Sequence, residues 1–193
     1  MRFKNPLFVL IFCVAFTSAN AQKYSTKSKT EVKTSWNGNT FSSSNSFTEN
    51  ISKVNDFTFL NSVFKSEALK NKLTYIEMVT IFAPLDVAFM NLSKEKRDAL
   101  IADASKMSET MKFLSVPGRL DFNSIKKAIE VNNGTAYFFT VSGTKLGARM
   151  VDGKVVLFDS ENNTATVTAT DFYHKNGLFH LVNGLVYPFS EGE

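Results

Sequence analysis

The chain has 193 residues, with 22 Lys and Arg against 18 Asp and Glu, a formal net charge of +4, and one cysteine. That length suits one domain with a short extension, and the single cysteine rules out an internal disulfide framework. The positive charge is confined to the first 50 residues, because residues 51–193 hold equal numbers of basic and acidic side chains. A neutral domain is not the electrostatic footprint of a nucleic-acid binder.

Residues 1–21 read as a secretory signal. Arg2 and Lys4 form a positive start, Leu7 to Phe16 an apolar stretch too short to cross a bilayer, and Ala19-Asn20-Ala21 a small-residue cleavage site before Gln22. Cys13 lies within the apolar stretch and leaves with it. Composition points to a bacterial-type export signal, which implies the periplasm, the cell surface or the medium. Residues 22–50 are rich in Ser, Thr and Asn, with Lys23, Lys27, Lys29 and Lys33, and are expected to be a flexible linker. Trp36, Phe41 and Phe47 interrupt this polarity and offer local packing or a short strand.

Beyond Asn55-Asp56, Leu60, Val63, Phe64 and Ala68 recur at helical spacing, with Leu69 and Leu73 extending the apolar face. Tyr75 to Phe82 reads as a buried strand ended by Pro84, and Asp86 is placed to cap a short helix carrying Ala88 and Phe89. Ser93 is expected to cap a second helix. Met107, Met111 and Leu114 mark a third, stopped by Pro117-Gly118, and Asp121 or Asn123 opens a fourth with Phe122, Ile125 and Ile129 on one side. After Asn133-Gly134 the period changes to strands: Ala136 to Val141, Leu146 to Val151, Lys154 to Phe158, Thr164 to Tyr173, and Phe179 to Tyr187. Asp152-Gly153 between the second and third predicts a type I′ hairpin. Helices before strands predict an α+β fold.

Two segments stand out. Phe82-Ala83-Pro84-Leu85-Asp86-Val87-Ala88-Phe89 and Asn176-Gly177-Leu178-Phe179-His180, continuing through Asn183 to Tyr187-Pro188, resemble the two signature segments of the fasciclin (FAS1) domain family. The resemblance covers roughly residues 51–188, leaving 189–193 as a short tail without a hydrophobic anchor. It implies a wedge or sandwich of β-strands flanked by short helices, and a role in adhesion or in binding other macromolecules. Leu85 stands where the family usually has Thr. Phe113-Leu114 stands where it often has Tyr-His, so the integrin-type contact linked to that pair in animal members does not carry over.

Candidate chemistry is sparse. His180, flanked by Phe179 and Leu181, reads either as a metal ligand or general base, or as a structural imidazole bonded to backbone; its apolar neighbours favour the second. His174, in a loop-like Tyr173-His174-Lys175-Asn176, is expected to face solvent, and a two-histidine metal site is disfavoured by the Asn176-Gly177 break. Asp159, Glu161 and Asp171 are acids near turns, and a glycosidase pair among them competes with ordinary surface acids. Nucleophile elbows, zinc-protease motifs and phosphate loops are absent from the sequence. The reading is therefore a secreted, non-enzymatic binding protein without cofactor or metal. Its expected partner is an extracellular or envelope protein or polysaccharide, and Lys27, Lys29, Lys33 and Trp36 are candidate contacts. A soluble carrier with a phenylalanine-lined pocket and an envelope hydrolase are the alternatives.

Overall fold

The computed structural model describes residues 30–65 and 78–188. The expected signal, Lys27 and Lys29, Ala68 to Ile76, and the tail from 189 lie outside them. Nine strands are described: β1 (Lys33–Trp36), β2 (Asn39–Ser42), β3 (Val79–Pro84), β4 (Ser115–Pro117), β5 (Thr135–Phe139), β6 (Lys145–Val151), β7 (Lys154–Phe158), β8 (Thr164–His174) and β9 (Gly177–Val182). The described α-helices are α1 (Phe47–Ile51), α2 (Thr58–Val63), α3 (Asp86–Met90), α4 (Lys94–Ala102), α5 (Ala104–Phe113) and α6 (Phe122–Val131).

Seven strands form one sheet in the order β4-β3-β9-β8-β7-β6-β5, and β1 and β2 form a separate hairpin. β3 and β9 run parallel, while every other pair is antiparallel. The two signature segments, about ninety residues apart, are thus hydrogen-bonded neighbours, with Phe82 opposite His180 and Pro84 opposite Val182. Both strands are buried along their whole length, as a parallel pair covered on both faces requires. The sheet curls until its edges meet, the amide of Val141 donating to the Ser115 carbonyl at 2.8 Å.

Helix α6 follows its expected cap, Asp121, whose carboxylate accepts from the Ser124 amide at 2.7 Å. That bond is the main reason its carboxyl is held below the usual range. Ile125 and Ile129 are its buried stripe. Ser93 caps α4 as expected, and Met107, Met111 and Leu114 are buried. The α5 helix, however, ends at Phe113, before Pro117-Gly118. Ser115–Pro117 become β4 and pair with Val79–Ile81, because the sheet edge offers those backbone groups a partner that a further helical turn would forfeit. The β6–β7 turn is as predicted, with positive φ at both Asp152 (48°) and Gly153 (74°).

The largest departure is in the stretch expected to be a linker. Residues 33–42 form the β1–β2 hairpin and 47–51 form α1, and the compact unit begins at Glu31. Phe41 and Phe47 are buried against Phe172 and Phe179, with ring centroids 5.0 to 5.3 Å apart. Polar composition misleads here because the polar residues do structural work. Ser46 and Glu49 form a capping box on α1. The Asn50 side chain exchanges two bonds with the Ser42 backbone, at 2.8 and 2.9 Å, and donates to the Tyr173 carbonyl at 3.3 Å.

Candidate functional site

The signature residues converge where β3 and β9 lie side by side. Gly177 opens β9 with φ of +146°, and a Cβ there would sit 2.0 Å from the Val79 carbonyl oxygen. Its neighbour Asn176 accepts from the Val79 amide at 2.8 Å. Asn176-Gly177 therefore sets the point at which the parallel pair begins, and only glycine leaves room for the neighbouring backbone.

His180 is fully buried, with its ring stacked on Phe82 at 5.5 Å. Nδ1 accepts from the Asp171 amide at 3.2 Å, so Nε2 carries the proton and donates to the Leu120 carbonyl at 2.8 Å. Burial pushes its pKa down, outweighing the opposing pull of the Leu120 carbonyl and of Asp171 and Asp121. Asp171, at φ of +62° within a bulge of β8, also accepts from the Phe122 amide at 2.9 Å and so ties the start of α6 to the sheet. His180 thus joins three segments through backbone groups: β9, the bulge of β8 and the approach to α6.

His174 departs from expectation. It is buried, its Nδ1 accepting from the Asn176 amide and its Nε2 donating to the Val79 carbonyl, both at 3.3 Å. Desolvation lowers its pKa from 6.5 to about 4. A loop-like tetrapeptide reads as exposed only while its neighbours are unknown; here β8 continues to His174 and Phe47 and Phe179 pack on the ring.

Asp86 also acts differently from expectation. It caps a neighbouring helix, not its own: its carboxylate accepts from the Thr58 amide at 3.1 Å, the Phe59 amide at 3.0 Å and the Thr58 hydroxyl. Two orphan donors at the start of α2 are thereby satisfied from another part of the chain. Ala83, Ala88 and Phe89 are buried beside it, Phe89 against Phe59 at 5.3 Å. Asn183 accepts from the Thr166 amide at 3.0 Å, and Tyr187, just before the half-buried Pro188, donates its amide to Asp159 at 2.9 Å.

Of the acids weighed as a catalytic pair, Asp159 and Glu161 share one turn and Asp171 lies in the bulge of β8. Asp159 is buried and accepts from the amides of Glu161, Asn163 and Tyr187 and from the Asn163 side chain, all within 3.0 Å. Asp171 is bound to α6 as above, and Glu161 is exposed. Among the described residues no group of three His, Cys, Asp or Glu side chains is arranged to hold a metal, and no helix is long and apolar enough to cross a membrane. The phenylalanines that a carrier pocket would need pack edge-to-face on one another: Phe47 on Phe64 and Phe179, and Phe41 on Phe172. Of the candidate partner contacts, Trp36 is half-buried against the core, and Lys33 is exposed and ion-paired with Glu31 at 3.3 Å.

Comparison with known proteins agrees with this geometry. The Fasciclin domain family matches residues 55–188. Human periostin is 24% identical over 131 residues, which are 68% of this chain and 14% of periostin. A FAS1 domain pair from the insect cell adhesion molecule Fasciclin I superposes with a TM-score of 0.55 at 20% identity, covering 69% of this chain and 46% of that one. The chain therefore spans less than half the length of either relative. With the family match running from Asn55, just before α2, through both signature segments to Pro188, the chain belongs to the fasciclin (FAS1) domain family.

Proposed function

We propose that this protein is an exported, non-enzymatic binding module that holds an extracellular or envelope macromolecule. The observation that carries this reading is how the buried polar residues are used. Asp86, Asp159, His174 and His180 each direct their polar atoms to backbone groups inside the fold. Side chains committed in this way fix a shape and leave recognition to the surface. The adhesion role of the insect relative is in keeping with it, as is the signal-like sequence of residues 1–21.

The test is a pull-down from native envelope and culture medium with the mature chain as bait. Specific retention of a protein or a polysaccharide, abolished by unfolding the bait, supports the reading. Turnover of a glycoside or ester substrate, lost on Asp159→Asn or His180→Gln without loss of folding, would refute it.

A further inference from the structure

One face of the sheet carries a pattern that neither the family motifs nor the core requires. On β5 the side chains alternate: Ala136 is buried, whereas Tyr137 and Phe139 are 60% and 67% exposed. Their partners across the sheet share that face. Tyr137 lies opposite Gly147, which lies opposite Phe158; Phe139 lies opposite Lys145; Arg149 lies opposite Val156; and Val151 lies opposite Lys154.

These residues form an organised ladder. Phe158 leans across β6, and a Cβ on Gly147 would be 2.4 Å from its ring, so the glycine is what lets the ring lie there. Its far edge meets Tyr137 at 5.8 Å, and the Arg149 guanidinium covers it at 5.0 Å. The Lys145 ammonium sits 5.4 Å from the Phe139 ring centre. Cation–π contact orients these charges without neutralising them.

Charge on this face is one-sided. On this face the strand positions of β5, β6 and β7 bear Lys145, Arg149 and Lys154 and no carboxylate; Asp152 and Glu161 lie in the turns at its two ends. None of the three cations is paired with a carboxylate among the described residues. The cations follow one line along β6, with Lys154 level with Val151, so from Lys145 they span roughly 20 Å at about 3.4 Å per residue. Exposed aromatic rings lie beside that line.

We propose that this aromatic and cationic ladder is the binding surface for a linear anionic polysaccharide, carboxylated or sulfated. The proposal rests on the binding-module reading above and names its partner class and surface. Acidic groups of the polymer pair with the three cations, and sugar faces lie on Tyr137 and Phe139, with Phe158 holding Arg149 in place between them. The open strand-aligned geometry suits an extended chain. Lysines at both ends of the line favour a hydrated polyanion over a protein partner, since lysine is depleted in protein–protein interfaces.

The experiment measures retention of the mature chain on immobilised polygalacturonate, heparin and neutral dextran at low and high salt. Wild type is expected to bind one or both polyanions, not dextran, and to release as salt screens the charges. Lys145→Gln/Arg149→Gln is expected to weaken binding about tenfold, as two exposed ion pairs allow. Tyr137→Ser/Phe139→Ser should weaken it about as much, aromatic contacts being of similar size. Lys94→Gln/Lys127→Gln, on helices, should bind as wild type, and melting curves should show every variant folded. Equal loss in the helix control, or unchanged binding in the aromatic variant, would reduce the effect to ion exchange and overturn the proposal. If no polyanion binds while a protein is captured from the envelope, this proposal fails and the binding-module reading stands. Self-association abolished by the aromatic variant, without polyanion binding, would assign the face to a second copy and also overturn it.

Discussion

The substitution Gly177→Ala places a methyl group where the backbone of β3 already lies. Three contributions set its cost. The backbone at φ of +146° is one that a side chain rarely adopts, and such strain costs about 1–3 kcal/mol. The new carbon would lie 2.0 Å from the Val79 carbonyl oxygen and 2.9 Å from its carbon, an overlap no rotamer relieves; forced overpacking costs about 1–3 kcal/mol. Moving Val79 away stretches its bonds to Asn176 and His174, which together contribute about 1 kcal/mol or more. The total is about 3–7 kcal/mol, a large part of a domain's usual stability of about 5–15 kcal/mol. Gly153→Ala is the control: φ is +74° but nothing lies within 4 Å of a new Cβ, so only about 1 kcal/mol is expected. Urea titrations of both variants, with midpoints compared at equal slope, measure the difference. Equal losses for the two would show that the close approach at Val79 relaxes freely, and the account of Asn176-Gly177 as the start of the parallel pair would be wrong.

Acid should unfold the domain early. Free imidazole takes up its proton near 6.5 and folded His174 only near 4, so below about 6.5 the unfolded state binds more protons. Stability is expected to fall by about 3 kcal/mol between those values, with His180 adding in the same direction, and His174→Gln should flatten the slope of urea midpoint against pH. His180→Ala leaves the Leu120 carbonyl and the Asp171 amide without partners, at about 1–3 kcal/mol for each, read as a lower melting temperature. A chain starting at Glu31 should melt like the mature protein, whereas one starting at Ile51 loses Phe41 and Phe47, about 3–5 kcal/mol each, and should show no cooperative transition. Cleavage after Ala21 is checked by N-terminal sequencing of exported protein, which should begin at Gln22.

What local chemistry dictates was legible along the chain. The Asp152-Gly153 turn, the Ser93 and Asp121 caps and the Met107, Met111, Leu114 stripe are set by neighbours within a few residues, and each is found where the pattern puts it. The family, too, was readable, because residues such as Gly177 occupy positions with few acceptable substitutes. What depends on distant partners was not legible. Asp86 was assigned to its own helix because sequence shows only adjacent amides, whereas Thr58 and Phe59 come beside it through the fold. His174 and the stretch from Glu31 to Asn50 looked solvated for the same reason: polarity reports a side chain's chemistry and not whether another strand will satisfy it. Local signs of order were present there in Trp36, Phe41 and Phe47, in Asn37-Gly38, which has positive φ at both residues of the β1–β2 turn, and in Ser46-x-x-Glu49. The ladder of Tyr137, Phe158 and Arg149 belongs wholly to tertiary structure, because strand register alone decides which side chains share a face and which glycine lets a ring cross it.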